Sequence, residues 1–302
     1  MKKSTKNIIK MHGWRVDRAA HNYIYFVFYE LYVKVFLGAG RLVAKWFGSL
    51  KASSWAYRMV FNRYHAKVIT LGDATKILSL KEDLIIGPDR TERIIPFKLA
   101  NKIILKEPEF IAVMDCPCRT SREKHCEPVN VCIAVGRTTA EFWLEHCQKY
   151  NVRKIGQGEA LKIVRDARDR GCINTAWFKV ATGGRTGVIC SCCSCCCGGL
   201  EGMRIAKSLK YGAELSNMIP SGYTVIYDAD KCDTCGTCAK VCMFGAIKPD
   251  ENGNPVYDKS ACMGCGVCVE KCQGAARSLS TDFAEEYPLD IDLIIEKAGR
   301  DA

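Results

Sequence analysis

Residues 232–242 read CDTCGTCAKVC, and residues 262–272 read CMGCGVCVEKC. Both segments place four cysteines at the spacing C-x2-C-x2-C-x3-C, and the second begins 30 residues after the first. The similarity extends beyond the cysteines, because Val225-Ile226-Tyr227-Asp228 and Pro255-Val256-Tyr257-Asp258 stand at the same offset. Internal duplication of a small unit of strand, loop and helix explains this repeat.

The spacing of these cysteines predicts two [4Fe-4S] clusters. Three cysteines at intervals of three let one tight loop surround a cubane, while the fourth begins a short helix and reaches the other cluster. The predicted ligand sets are Cys232, Cys235, Cys238 and Cys272 for one cluster, and Cys262, Cys265, Cys268 and Cys242 for the other. Gly236, Gly264 and Gly266 are expected to relieve crowding where the backbone lies against the inorganic core. Structural zinc, which needs only four ligands per ion, is the alternative.

The duplicated segment resembles the bacterial dicluster ferredoxins over residues 223–280. The resemblance implies a carrier of single electrons at low potential. The residue after the fourth cysteine is usually proline in these proteins, whereas Met243 and Gln273 stand there in this chain. This departure removes no ligand.

Twelve further cysteines lie elsewhere, ten of them in two groups. Cys116, Cys118, Cys126 and Cys132 are predicted to bind a third cluster. Residues 190–197 read CSCCSCCC, and a subset of these six thiols is predicted to bind a fourth. The six are Cys190, Cys192, Cys193, Cys195, Cys196 and Cys197. Adjacent residues do not easily direct both thiolates at one cluster, so pairing of thiols between the two groups stays open.

The two groups together resemble a class of larger 4Fe-4S-binding proteins from anaerobes, over residues 111–200. The resemblance implies iron–sulfur binding without a defined reaction. Cys147 and Cys172 are expected to be buried thiols, and His125 a surface residue. Arg119 and Arg185 are candidate donors of hydrogen bonds to cluster sulfur or to a bound anion.

The net charge of +11 is concentrated in the first 70 residues, which hold thirteen Lys or Arg and two acids. The other residues hold 31 bases and 31 acids. A basic segment of this kind favours anionic lipid, an acidic protein or nucleic acid, and a solvated basic surface is the alternative.

Residues 23–47 read YIYFVFYELYVKVFLGAGRLVAKWF and predict an amphipathic helix. Its charges occupy a stripe about 60° wide, and they are Glu30, Lys34, Arg41 and Lys45. The helix can lie in a membrane interface, span the bilayer, or pack on a partner or on the protein's own core. We favour peripheral attachment, because spanning would bury charges and because Lys51, Arg58, Arg63 and Lys67 continue the basic character. The broad aromatic face disfavours nucleic acid.

The expected fold class is α+β. It combines an N-terminal amphipathic helix, a mixed α/β cysteine-rich middle domain and a bacterial dicluster ferredoxin-like C-terminal domain. The predicted divisions are a basic helical attachment segment (1–70), a connector (71–110), a cysteine-rich iron–sulfur domain (111–200), a linker (201–222), a 2x[4Fe-4S] ferredoxin domain (223–280) and a tail (281–302). Helices are predicted near residues 138–150 and 159–170.

These patterns predict an iron–sulfur electron-transfer protein that shuttles single electrons to a redox protein partner at the membrane. No catalytic residue and no nucleotide cofactor is predicted, since the glycines near residue 40 do not complete a dinucleotide loop. The alternative is a catalytic iron–sulfur reductase, with a substrate-binding cluster in the 111–200 domain fed by the ferredoxin domain. Crowded cysteines without a convincing export signal predict a reducing cytoplasm, at the inner face of the cell membrane, and an anaerobic host.

Overall fold

The computed structural model describes residues 2–86, 103–179, 185–281 and 287–292. The α-helices in these ranges are α1 (Lys3–His12), α2 (Val16–Val27), α3 (Tyr29–Phe47), α4 (Lys51–Phe61), α5 (Leu71–Leu78), α6 (Pro117–Thr120), α7 (Arg137–His146), α8 (Gln157–Asp169), α9 (Gly198–Lys207), α10 (Thr237–Val241) and α11 (Val267–Glu270). The strands are β1 (Tyr64–Ile69), β2 (Leu84–Ile86), β3 (Ile103–Leu105), β4 (Ile111–Asp115), β5 (Asn130–Val135), β6 (Arg153–Ile155), β7 (Ile173–Lys179), β8 (Arg185–Cys192), β9 (Met218–Ile219), β10 (Thr224–Tyr227), β11 (Ile247–Pro249), β12 (Pro255–Tyr257) and β13 (Arg277–Ser280).

A seven-stranded sheet in the order β6-β4-β5-β8-β7-β1-β9 forms the centre of the molecule. Its neighbouring strands are antiparallel except for the parallel pair β1 and β9. The sheet therefore extends beyond the predicted cysteine-rich domain of residues 111–200. It takes β1 from the predicted N-terminal segment and β9 from the predicted linker.

Both faces of the sheet are buried. Because alternate residues of a strand point to opposite sides, each strand contributes side chains to both faces. On β4, Ala112 and Met114 enter one hydrophobic cluster, while Ile111 and Val113 enter another. The first cluster includes side chains of α1, α2, α3, α7 and α9, and the second includes side chains of α5 and α8. The helix predicted near residues 159–170 is confirmed as α8, whereas the helix predicted near residues 138–150 is present as α7 but ends at His146.

The predicted helix over residues 23–47 is divided in two. The break lies at Phe28, whose backbone angles of φ −111° and ψ 31° leave the helical region, so that α2 ends and α3 begins there. The rings of Tyr25 and Tyr29 meet across the break with their centroids 4.4 Å apart. These rings are buried with the sheet, so part of the apolar surface packs on the protein's own core.

Helix α3 nevertheless carries a second apolar face. Its buried face is formed by Tyr29, Val33, Leu37 and Gly40. Leu31, Val35, Leu42 and Trp46 are 59–69% exposed, and at 100° per residue they lie on the far side of the charged stripe. Among the described residues, no helix combines the length and the apolar character needed to cross a bilayer.

One residue of the predicted basic surface, Lys67, does not lie on the surface. Lys67 belongs to β1 and is completely buried in the central sheet. It therefore does not contribute to a basic surface, whereas Lys51 and Arg58 on α4 are exposed.

Two small antiparallel sheets form the C-terminal cysteine-rich region. Strand β10 pairs with β13, and β11 pairs with β12. Of the predicted tail, residues 281 and 287–292 are described, and Leu289 and Ile291 bury their side chains against the central sheet. The remainder of the tail and residues 87–102 of the predicted connector lie outside the described residues.

Candidate metal centres

Two cavities in the C-terminal region are each lined by four cysteines. One has a volume of about 420 Å³ and is lined by Cys232, Cys235, Cys238 and Cys272. The other has a volume of about 340 Å³ and is lined by Cys242, Cys262, Cys265 and Cys268. Each cavity thus takes three cysteines from one run and the last cysteine from the other run. These are the same two sets that the spacing predicts as ligands.

Backbone hydrogen bonds show how the two halves exchange their last cysteine. The N–H of Asp228 donates to the carbonyl of Ala276 at 2.9 Å, and the N–H of Asp258 donates to the carbonyl of Ala246 at 2.8 Å. The two bonds are related by the 30-residue repeat, and each joins one half to the other. This pairing carries the end of each run across to the opposite cavity.

Glycine is required at one position of the second loop. Gly264 has φ +61°, and a Cβ atom there would lie 2.2 Å from the carbonyl oxygen of Tyr223. Its N–H donates to the Sγ atom of Cys262 at 3.4 Å. A side chain at this position would therefore disturb both the left-handed backbone and an N–H aimed at a ligand sulfur. Gly236 and Gly266 also adopt positive φ, as the predicted tight loops require.

Burial disfavours the charged form of two thiols of the second cavity. It raises the pKa of Cys265 to about 11 and that of Cys268 to about 12. A buried thiolate needs a positive partner, and iron can supply that charge in place of the proton. The donor set, the spacing and the cavity therefore fit a thiolate-bound cluster.

Comparison with known families agrees with this geometry. Residues 224–273 match the family model described as a 4Fe-4S dicluster domain. This segment is thus similar to 4Fe-4S dicluster domains, and we refer to it as the dicluster domain. A search of curated proteins finds no significant match to the chain. The twelve other cysteines of the chain lie outside the matched residues.

The dicluster domain packs directly on the middle domain. Arg168 of α8 is almost completely buried, and it forms a two-point ion pair with Glu270 of the dicluster domain. Its Nη2 atom also donates to the backbone carbonyl of Cys265. Met263, Cys265 and Val267 pack against the hydrophobic cluster on one face of the central sheet. The loop around the second cavity is therefore fixed against the middle domain.

A third cavity lies on that same face of the sheet and is lined by seven cysteines. Six of them belong to no other group of thiols, and they are Cys116, Cys118, Cys132, Cys190, Cys192 and Cys197; the seventh, Cys193, also belongs to a second group of cysteines. We call this the six-thiol cavity. Cys132 and Cys190 are directly opposite each other on β5 and β8, and their Sγ atoms lie 3.7 Å apart. Cys190 and Cys192 share this face of β8, because residues two apart on a strand point to the same side.

The other three thiols of the six-thiol cavity stand at helix starts. Cys116 immediately precedes α6, Cys118 lies within its first turn, and Cys197 immediately precedes α9. Hydrogen bonds from Cys118 and Cys132 hold the pKa of the Cys116 thiol well below its usual range. The positive end of α9 also favours negative charge beside Cys197. Hydrogen bonds to neighbouring thiols, together with burial, raise the pKa values of Cys118, Cys132, Cys192 and Cys197 well above their usual range, so the geometry favours a thiolate at Cys116.

The six-thiol cavity is larger than either dicluster cavity. Its volume is about 880 Å³ including its opening to solvent, and tyrosines form part of its wall. Those tyrosines are Tyr25, Tyr29, Tyr32 and Tyr64. Helix α9 closes one side through Gly199, where a Cβ atom would lie 2.6 Å from the ring of Trp177. Six thiols exceed the four that one cubane needs.

Arg119 provides a buried positive charge at the wall of the six-thiol cavity. Its side chain is 3% exposed, and its Nη2 atom donates to the carbonyl of Ser191 at 3.3 Å and to the Sγ atom of Cys172 at 3.5 Å. Its Nε atom is buried without a hydrogen-bond partner among the described residues. A buried donor without a partner is costly, so this N–H fits an acceptor such as cluster sulfur inside the cavity. The side chain of Arg185, the other candidate donor, lies outside the described part of the chain.

The remaining cysteines of the two groups form a second site, which borders the six-thiol cavity at Cys193. Cys126, Cys193, Cys195 and Cys196 place their Sγ atoms within 4.8 Å of one another. The structure thus divides the predicted set of Cys116, Cys118, Cys126 and Cys132, because Cys126 lies with the second group and the other three line the six-thiol cavity. The run 190–197 is divided as well: Cys190, Cys192 and Cys197 line only the six-thiol cavity, Cys195 and Cys196 belong only to the second site, and Cys193 is at both.

The sequence predicts buried thiols at Cys147 and Cys172 and a surface residue at His125. Cys147 is completely buried, its thiol donates to the carbonyl of Phe26 at 3.6 Å, and burial raises its pKa to about 12. Cys172 is also buried and contacts Arg119. His125 is exposed and pairs with Glu127 at 3.2 Å. The tyrosines of the six-thiol cavity were not predicted as site residues, since their spacing indicated only an apolar helix face.

Proposed function

We propose that this protein transfers single electrons between iron–sulfur clusters and a redox protein partner. The observation that carries this proposal is the pair of four-cysteine cavities inside the segment matched to the 4Fe-4S dicluster domain. When bound, each cluster supplies a one-electron redox couple. The duplicated cysteine spacing supports a domain of the bacterial type, with Cys232, Cys235, Cys238 and Cys272 around one cluster and Cys242, Cys262, Cys265 and Cys268 around the other.

The six-thiol cavity extends this function to a further iron–sulfur centre. Support comes from its six donors, its volume and the unpartnered N–H of Arg119. Support also comes from its position, because the second dicluster loop packs on the same hydrophobic cluster that contains Cys132 and Cys190. The two redox sites would then share one buried core, with little water between them.

Iron and acid-labile sulfide measured on anaerobically purified full-length protein test this proposal. We expect more iron than the two dicluster clusters hold, together with EPR signals of reduced clusters. Replacing Cys132 and Cys190 with serine should remove only the excess. Iron that matches the dicluster domain alone in the unaltered protein would eliminate the further centre. Colourless protein without iron would eliminate the electron-transfer function.

We also propose that the N-terminal helices attach the protein to an anionic membrane surface. Fourteen of the seventeen large hydrophobic side chains that are exposed among the described residues lie between Ile9 and Met59. They include Trp14, Trp46 and Trp55, and tryptophan is favoured at the level of lipid headgroups. Residues 1–70, which include this segment, carry the whole net positive charge. Apolar and basic character combined fit a lipid interface at the cytoplasmic face of the membrane.

Co-sedimentation with liposomes that contain anionic lipid tests the attachment. The variant Leu42→Glu/Trp46→Glu places charge on the exposed face of α3 and should release the protein. Ile226→Glu/Val256→Glu alters two exposed apolar residues of the dicluster domain and should bind like the unaltered protein. Equal binding of both variants to the liposomes would contradict the membrane role. Stable complexes with a protein, without binding to lipid, would show that these helices attach to a protein partner instead.

A second candidate function is a reductase that acts in the six-thiol cavity. A chain of hydrogen bonds leads to its wall, in which His21 contacts the Tyr64 hydroxyl and Tyr64 contacts the Tyr32 hydroxyl at 3.0 Å. Burial lowers the pKa of His21, so its imidazole is neutral at neutral pH and can relay a proton. Coupled proton transfer would lower the potential of the centre by about 59 mV per pH unit. A potential independent of pH would favour the carrier, and a slope abolished by Tyr64→Phe would favour the reductase.

A further inference from the structure

We propose that Cys126, Cys193, Cys195 and Cys196 bind one tetrahedral divalent metal ion, zinc or ferrous iron, and not an iron–sulfur cubane. We call this the four-thiol site. It shares Cys193 with the lining of the six-thiol cavity, whereas Cys126, Cys195 and Cys196 do not line that cavity. It assigns the cysteines of the middle domain to two kinds of centre.

The spacing of the sulfur atoms is the first argument. All four Sγ atoms lie within 4.8 Å of one another, with Cys126 and Cys195 at 2.8 Å and Cys195 and Cys196 at 3.5 Å. Four thiolates around one ion at about 2.3 Å stand roughly 3.8 Å apart. In a cubane the four cysteine sulfurs bind four different irons and must stand farther apart. Within the described residues, the cysteines of the dicluster domain form no group as tight as this one.

The local chain geometry is the second argument. Cys193, Cys195 and Cys196 lie in the short turn between β8 and α9, and Cys126 lies in the loop before β5. The turn directs the adjacent thiols of Cys195 and Cys196 toward one point. A single metal ion needs this convergence, whereas the thiolates around a cubane bind four different irons. Four thiolates complete the shell of a tetrahedral ion and leave no open position, as in structural zinc sites.

The surroundings of the four-thiol site are basic. Arg122 donates to the carbonyl of Cys196 at 3.1 Å, and Arg204 donates to the carbonyl of Ser194 at 2.6 Å. Four thiolates around a divalent ion carry a net charge of two minus, and these guanidinium groups offset it. The acid Glu201, which accepts from Arg122, contributes one opposing charge nearby.

The ion would act as a cross-link. It would join two segments that are 69 residues apart in the sequence. The joined turn carries Cys192 at one end and Cys197 at the other, and both line the six-thiol cavity. The ion would therefore hold the wall of that cavity in place.

Metal analysis of the full-length protein, purified without oxygen, tests the four-thiol site. We expect one metal ion per chain beyond the iron that acid-labile sulfide accounts for, measured as zinc or as iron without matching sulfide. Cys126→Ser/Cys195→Ser should lose this ion and keep its sulfide content. Ser194→Ala, in the same turn, is the matched control and should keep the ion. Exchange with Co²⁺ should give the visible bands of a tetrahedral thiolate complex.

Two outcomes would overturn the proposal. Loss of iron and sulfide in equal amounts from the double cysteine variant would show that the site holds a cluster. Absence of any excess metal from the unaltered protein, with Cys126 and Cys195 recovered as a disulfide, would show that no ion is bound. The stoichiometry of the unaltered protein decides the question even if the variant does not fold.

Discussion

Arg168 and Glu270 form a two-point ion pair between the middle domain and the dicluster domain. Nε of Arg168 lies 2.8 Å from Oε2 of Glu270, and Nη2 lies 2.9 Å from Oε1. The arginine side chain is 1% exposed and the glutamate side chain 29% exposed. Since Arg168 also donates to the carbonyl of Cys265, a single side chain connects α8 to the loop that carries a predicted cluster ligand.

Removal of Arg168 alone should weaken this connection. Arg168→Met leaves the partly buried Glu270 unpaired, and we expect a loss of about 3 kcal/mol in the free energy of unfolding. Loss of the positive charge should also make the potential of the neighbouring cluster more negative, because the reduced state carries more negative charge. Anaerobic denaturation and redox titration measure the two effects.

The double variant Arg168→Met/Glu270→Leu is the control for that experiment. It replaces the ion pair by apolar side chains and should recover most of the stability, since the cost arises from an unpaired buried charge. A double variant as unstable as Arg168→Met would contradict this account of the interface.

The exchange of the fourth cysteine between the two halves predicts a non-additive loss of clusters. Cys242 and Cys265 line the same cavity, whereas Cys235 lines the other. Cys242→Ser and Cys265→Ser should each lose one cluster, and their combination should lose no more. Cys235→Ser combined with Cys242→Ser should lose both. Iron and sulfide content measures these losses, and additive loss for Cys242 with Cys265 would refute the crossed arrangement.

The sequence predicted the dicluster domain well because its ligands are close together in the chain. Loops of C-x2-C-x2-C fix three ligands locally, and the repeat at 30 residues supplies the fourth by symmetry. The sorting of the other cysteines depends on the sheet. Cys132 and Cys190 meet only because β5 and β8 are neighbours, and Cys126 leaves its own group because its loop faces the turn after β8.

One local signal could have improved that prediction. Cys190 and Cys192 alternate along a strand, which places both thiols on one face of a sheet. The apolar residues before them were compatible with such a strand. Nothing in the sequence, however, indicated that β1 and β9 join the central sheet from either side of the cysteine-rich region. Such long-range pairing depends on tertiary packing that local patterns do not encode.

His65 should make the protein sensitive to acid. It is buried in β1, and burial lowers its pKa from 6.5 to about 4. The folded protein holds the imidazole neutral, so the full stability is present above pH 6.5 and is lost as the pH falls toward 4. The change is on the order of 3 kcal/mol. Denaturation of anaerobic protein at several pH values should show this slope, and His65→Gln should flatten it; equal slopes would contradict the assignment.

Gly199 offers a selective test of the six-thiol cavity. A Cβ atom there would lie 2.6 Å from the ring of Trp177 and 3.1 Å from Cε of Met218, so Gly199→Ala must push α9 away from the sheet. We expect a loss of about 1–3 kcal/mol in the free energy of unfolding, as for other overpacked cores. The iron content above that held by the dicluster domain should also fall, because Cys197 immediately precedes α9.

Gly158→Ala is the control. A Cβ atom at Gly158 would meet nothing within 4 Å, so this variant should keep its iron content and its stability, or become slightly more stable. Retention of all iron by Gly199→Ala, at reduced stability, would separate the packing of α9 from cluster binding and argue against a centre that uses Cys197.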